Sequence, residues 1–271
     1  MPAGRLDGDH IRAEVGEDPA GEPPERRREV DHPTVGEQHG RVLAASDRAR
    51  CRYGAQVLEA ERAAVVAAGR RLAESGLVVG TSGNLSARSG DLIVVTPSGC
   101  SIAVMDPDDL VVVDRAGAVV EGSAVPTSEL PFHLAVYDAT GTGAIAHTHA
   151  VASVAVSCLC EVLPALHYTC VLLGGPPRVA PYATFGSDTL AAGLVAALAG
   201  GRQAALLAHH GSVALGDDPD AACERLELLE WLCRLHLAVV GATGGAVPAV
   251  LDDAALAAAA DRFGVVPPGP V

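Results

Sequence analysis

The sequence predicts an α/β protein: a single three-layer domain whose central, mainly antiparallel or mixed β-sheet is flanked by helices on both faces. Three observations carry this prediction. The chain has 271 residues, 49% of them hydrophobic, which is ample for one buried core. Strand-like apolar runs follow one another directly in several places. Elsewhere they alternate with stretches of helical spacing, which places helices over the sheet.

Residues 1–50 are rich in Pro, Gly, Arg and acidic side chains and have hardly any apolar periodicity. They cannot bury enough surface to offset their ordering entropy, so they read as a disordered N-terminal extension. His10, His32 and His39 lie there and are expected to bind nothing. The folded domain is expected over residues 56–265. Val57, Val65, Ala68 and Leu72 recur at helical spacing and Gly76 stops that helix. Strand-like runs follow at 77–79, 92–96 and 111–114, with a turn at 115–117 and a return strand at 119–121. Thr127 or Ser128 is the expected cap of a helix reaching Tyr137. A strand at 144–149 then leads into a helix at 151–159. Strands at 170–173 and 178–180, a helix at 187–198, and strands at 204–209 and 213–215 around Gly211 come next. Helices at 219–241 and 252–262 close the domain.

Composition removes several functional classes. A net charge of −14 argues against a nucleic-acid partner, since phosphate backbones need clustered cations. It leaves room for a small phosphorylated ligand, because a few backbone N–H groups and a hydroxyl suffice to hold one phosphate. There is no run of eighteen apolar residues, and the first thirty are charged and Pro-rich, so neither a membrane span nor a secretory signal is expected and the reading is cytoplasmic. The seven cysteines form no CxxC pair and read as reduced and mostly buried; Cys158 and Cys160 could hold zinc, but the ordinary reduced reading is preferred for them. All nineteen basic residues are Arg; lysine is absent. Schiff-base chemistry needs a lysine amine and the Walker loop needs its Lys, so imine-forming aldolases, pyridoxal enzymes and ordinary P-loop ATPases are excluded. Carbonyl activation must come from hydrogen bonds or a metal.

His147 and His149 end an apolar strand. Side chains two apart share a face with Cα atoms roughly 6.5–7 Å apart, so both imidazoles can meet one ion. A second site, Ala208-His209-His210-Gly211, follows some sixty residues later at the end of another apolar run. Strand neighbours point to opposite faces, so one of His209 and His210 can join the cluster. Three histidines with an open fourth position characterise a catalytic zinc site, not a structural one. Glu129 starts a helix, where the dipole favours an anion.

Taken together, these segments resemble the class II aldolase and adducin family, and its fuculose-1-phosphate aldolase members above all. The resemblance rests on TSGNLS (81–86), TPSG (96–99), PTSELPFH (126–133), HTHAVASVAVS (147–157), PALHY (164–168), APYATFGS (180–187) and LLAHHG (206–211), in the family's order over residues 57–263. It implies a class II aldolase-like fold and one zinc ion per subunit, with manganese or cobalt left open. The implied ligands are His147, His149 and His210, with His209 turned away. Glu129 falls at the family's catalytic carboxylate, which can also ligate the metal. Gly83, Asn84, Ser98, Thr127 and Ser128 match its phosphate-binding positions. Tyr168 matches a tyrosine that enters a neighbouring subunit's site in a homotetramer with active sites at its interfaces. The implied reaction is reversible cleavage of a ketose 1-phosphate, fuculose-1-phosphate-like or a 5-deoxypentulose 1-phosphate, to dihydroxyacetone phosphate and an aldehyde. Phe263 stands where those members have a tyrosine near the aldehyde, which leaves the aldehyde open. The same family also holds a methylthioribulose-1-phosphate dehydratase, a sugar-phosphate 4-epimerase and non-enzymatic adducin heads. Epimerases carry aspartate at the position of Glu129, and a binding protein would have lost the metal site.

Overall fold

A computed structural model describes residues 55–246, 248–267 and 269. The expected extension at 1–50, with its three histidines, lies outside the described residues. Among the described residues eight strands make one sheet: β1 (Asn84–Ser89), β2 (Leu92–Val95), β3 (Val111–Asp114), β4 (Val119–Glu121), β5 (Ala144–Thr148), β6 (Arg178–Ala180), β7 (Ala204–Leu207) and β8 (Gly211–Gly216). Their spatial order is β4-β3-β2-β1-β5-β8-β7-β6. All neighbouring pairs are antiparallel except β6 and β7. The sheet is therefore mixed and mainly antiparallel, as its successive apolar runs predict.

Period-2 alternation sends side chains to two cores, one on each face. On one face Leu85, Ala87, Leu92, Val94, Ala146, Leu206 and Ala214 pack against helices α1 (Ala55–Glu74), α3 (Val151–Ser157), α5 (Pro219–Thr243) and α6 (Asp253–Phe263). On the other, Ile93, Val95, Val111, Val113, Ile145, Leu207, Val213 and Leu215 lie under α2 (Leu130–Ala139) and α4 (Asp188–Leu198). With so few aromatics the core is aliphatic, at roughly 1.5–3 kcal/mol per buried Val, Leu or Ile. The expected three layers are present.

Two expected strands are absent and one strand was not expected. Residues 77–79 form no strand: the Leu77 N–H closes the end of α1 on Leu72 O, and Val79 O takes the Ser82 N–H, so both groups serve turns and not a ladder. Residues 170–173 belong to a 3₁₀ helix, Tyr168–Leu173, which buries Cys170, Val171 and Leu173 before Gly174 ends it at φ 74°. Strand β1 was unexpected, since NLSARS contains only Leu85 and Ala87 to face a core. Its polar side chains Asn84 and Ser86 meet His133 and Tyr137 of α2, which is why its sequence lacks an apolar run.

Candidate active site

Glu129, not Thr127 or Ser128, is the N-cap of α2, and it makes no side-chain cap bond there. Thr127 Oγ1 accepts the Glu129 N–H at 3.3 Å, leaving the carboxylate free to turn toward the sheet. β5 carries His147 beside Asn84 of β1 and Val213 of β8, and His149 follows directly after its end. His210 comes from the turn between β7 and β8. His209 turns away as expected, for a different reason: the pair lies in that turn, not in a strand, and His209 is left-handed with φ 56°. Its Nδ1 lies 3.2 Å from Cys158 Sγ.

These four residues converge. Glu129, His147, His149 and His210 each present one donor atom, and all four atoms lie within 4.8 Å of one another. Glu129 Oε2 is 3.1 Å from His147 Nε2 and Oε1 is 3.2 Å from His210 Nε2. His149 Nε2 is 3.0 Å from His147 Nε2. His147 Nδ1 lies 2.9 Å from the Ser212 carbonyl, which can only accept, so Nδ1 donates there and Nε2 faces inward. Gly211 leaves room for the rings: a Cβ there would meet His147 Cε1 at 3.1 Å and His149 Cδ2 at 3.2 Å. Gly83, at φ 92°, passes so close to β5 that a Cβ would lie 2.8 Å from His147 O.

A divalent ion fits this set. Glu129 Oε1 is buried without a well-formed hydrogen bond, and two imidazole nitrogens face each other at contact distance. Burial pushes His149 down to about 4, with His147 and His210 adding to the effect, so its ring is a neutral ligand at pH 7. Burial alone would raise Glu129. The adjoining His147 and then His210 outweigh it and hold the carboxyl well below its usual range. Three imidazoles and a carboxylate are the donor set of a catalytic zinc centre.

Beside the cluster lies a cavity of about 310 Å³. Gly83, Asn84, Ser98, Thr127 and Ser128, the positions expected to take a phosphate, all line it, together with Glu129 and His210. Tyr182, Phe185 and His209 line it too, and sequence reasoning gave none of them a role. Tyr168 does not line the cavity of its own chain. It is half exposed, stacked on His167 with its ring 6.0 Å from Phe263.

The sequence also gave no sign of what stands behind Glu129. Asn84 Nδ2 donates to Glu129 Oε2 at 2.8 Å, and Asn84 Oδ1 lies 2.6 Å from His133 Nε2. Ser86 Oγ is 2.7 Å from His133 Nδ1 and 2.7 Å from Tyr137 OH. Burial holds His133 down to about 3, so it is neutral. The signal that could have found this group is the spacing of 129, 133 and 137 on one helical face.

Comparison with known proteins agrees with this geometry. Residues 63–237 match the family described as Class II Aldolase and Adducin N-terminal domain. A 5-methylthioribulose-1-phosphate/5-deoxyribulose-1-phosphate aldolase of Rhodospirillum rubrum is 41% identical over 177 residues, 65% of this chain and 79% of the relative. An L-fuculose phosphate aldolase of Escherichia coli K12 is 37% identical over 190 residues, 69% of this chain and 86% of the relative. A solved L-fuculose 1-phosphate aldolase superposes with a TM-score of 0.72 at 33% identity, covering 78% of this chain and 98% of that one. The protein therefore belongs to the class II aldolase and adducin family and is an enzyme of its lyase kind.

Proposed function

We propose that the protein is a divalent-metal-dependent aldolase that reversibly cleaves a ketose 1-phosphate to dihydroxyacetone phosphate and an aldehyde. The observation that carries this reading is the convergence of Glu129, His147, His149 and His210 at the edge of a small, hydroxyl-lined cavity. The three imidazoles would hold the ion, and zinc suits them, although manganese and cobalt take the same donors. Such an ion, when bound, polarises the ketose carbonyl and offsets the charge that a lysine imine offsets in other aldolases.

The chain's own groups do the rest. Ser98, Thr127 and Ser128 present hydroxyls, and Gly83 brings backbone close to the cavity, so a phosphate has partners despite the net charge of −14. Asn84 offers less than the family pattern implies, because its amide already serves Glu129 and His133. In the cleavage direction Tyr168 of an adjacent subunit takes the proton from the C4 hydroxyl and passes it to water, and the C3–C4 bond breaks with its electron pair left on C3. Glu129, which rests ionised, takes up a proton from water and delivers it to that carbon.

Self-association belongs to the same proposal. Of the seven described Phe, Tyr and Trp residues five are more than 40% exposed: Tyr182 and Phe185, which line the cavity, and Tyr168, Trp231 and Phe263, at 49%, 46% and 44%. His167 joins them, stacked on Tyr168 and edge-on to Trp231 at 4.9 Å. An exposed aromatic patch holding a catalytic tyrosine supports a homotetramer whose active sites lie at subunit interfaces. Phe263, 6.0 Å from Tyr168, would then reach the neighbour's site and present an apolar wall to the aldehyde. That favours a 5-deoxypentulose 1-phosphate or its 5-methylthio analogue, the substrates in the name of the Rhodospirillum rubrum relative. Among the described residues no helix is long and apolar enough to cross a membrane.

A panel of ketose 1-phosphates, tested with and without chelator, checks the proposal. Dihydroxyacetone phosphate should form with an aldehyde, and metal stripping should abolish both. Loss of water without chain cleavage would replace this reading with the dehydratase one.

A further inference from the structure

We propose that Asn84, His133, Ser86 and Tyr137 form a one-way chain of hydrogen bonds that fixes the orientation of the Glu129 carboxylate, with His133 as its central positioning residue. The inference rests on the reading of Glu129 as the acid/base.

Two periodicities create the chain. Positions 129, 133 and 137 are four apart at the start of and along α2, so they share one face of the helix. Positions 84 and 86 are two apart in β1 and share one face of the sheet. The helix face lies on the strand face, and the side chains alternate between them: Glu129, Asn84, His133, Ser86, Tyr137. The links measure 2.8, 2.6, 2.7 and 2.7 Å.

Each link has one permitted direction. A carboxylate only accepts, so Asn84 turns its NH₂ to Glu129 and its carbonyl oxygen to His133. That oxygen also only accepts, so His133 Nε2 carries the proton. In a neutral ring Nδ1 is then bare and accepts the Ser86 hydroxyl hydrogen. Ser86 has no other hydrogen, so its oxygen accepts from Tyr137 O–H. The Arg88 guanidinium, 5.4 Å from the centre of the Tyr137 ring, marks the outer end.

The four residues behind Glu129 are at most 5% exposed, so water is poorly placed to replace a lost partner. Burial also keeps both ends of the argument in place, holding His133 neutral and pushing Tyr137 up so that its hydroxyl stays protonated. The chain does not relay protons: an amide passes a proton only through its imidic acid form, and Asn84 stands in the middle. What the chain transmits is orientation. It aims Nδ2–H at Oε2 and so directs Oε1 and the carboxylate plane toward the imidazoles and the cavity.

Two substitutions at His133 separate positioning from packing. In His133→Gln the terminal amide reaches the place of Nε2 and keeps an N–H for Asn84. In His133→Asn the shorter side chain reaches only the place of Nδ1, keeping Ser86 and leaving Asn84 unmet. With metal-loaded full-length protein, His133→Asn should lower kcat roughly 10- to 100-fold, with KM and bound metal little changed, and His133→Gln should recover most of it. Equal losses in the two variants, or none in either, would overturn the proposal.

A readout independent of turnover is the ¹⁵N spectrum of the histidine rings in the unaltered protein. His133 should carry its proton on Nε2 alone at neutral pH; a ring protonated on Nδ1 would overturn the proposal even if His133→Asn fails to fold. Glu129→Gln is assayed beside them. If it is inactive while a folded His133→Asn is fully active, only the positioning inference falls. If Glu129→Gln is itself fully active, the acid/base reading falls and the inference with it.

Discussion

The surroundings of Glu129 and those of Tyr168 differ in what they complete. Around Glu129 the polar groups are buried and gathered from within the chain: Asn84, His147 and His210 each touch the carboxylate, and His133 and Ser86 stand behind them. Around Tyr168 the rings of His167, Trp231 and Phe263 are gathered at a surface that nothing among the described residues covers. The first region folds with the domain. The second has its apolar groups in place and lacks only a cover, which on our reading is another copy of the chain.

Substitutions can break or sharpen this contrast. The largest effect belongs to the buried region. Glu129→Gln should lower kcat by about 10²- to 10⁴-fold while bound metal and fold persist, measured by steady-state kinetics beside metal analysis. Tyr168→Phe should be comparably inactive as a homo-oligomer. Mixing it with Glu129→Gln and allowing subunits to exchange should restore part of the activity, since some sites then combine an intact Glu129 with a neighbour's intact Tyr168. Failure to recover any activity from a mixture shown to exchange would place Tyr168 outside the partner's site.

Gly211→Ala comes next. Its Cβ would press on Thr148 O and on both imidazoles, so a loss of about 1–3 kcal/mol in unfolding free energy is expected, with weakened metal binding. Trp231→Ala, in the open region, should change the stability of the isolated chain by only about 0.5 kcal/mol or less but shift assembly toward smaller species in sedimentation. If Trp231→Ala costs as much fold stability as Gly211→Ala, the distinction between the regions is wrong.

The sequence was legible where apolar residues repeat with a period. The strands β2, β3 and β5 and the long helices announce themselves through such runs, and His147-Thr148-His149 stands out because two imidazoles end one of them. Strand β1 was not legible, because its outward face carries Asn84, Ser86 and Arg88, whose surroundings come from α2 and not from their neighbours in sequence. The buried chain behind Glu129 was hidden for the same reason. Each of its members is an ordinary polar residue until the register of α2 over β1 brings positions 133 and 137 against 84 and 86. Residues 77–79 and 170–173 misled because short apolar runs have no period long enough to tell a strand from a connector or a 3₁₀ turn. His210, and not His209, converges with the other three side chains, although not by strand alternation: a left-handed residue in a turn separates neighbouring side chains much as a pleat does.

The central claim is that His147, His149 and His210 hold one divalent ion beside Glu129. A crystal structure of the purified protein with anomalous data at the zinc edge, paired with metal content per chain, tests it most directly. The account predicts one ion per chain bound by those three imidazoles. A fully active protein with no ion there, or with its metal held elsewhere, would contradict it.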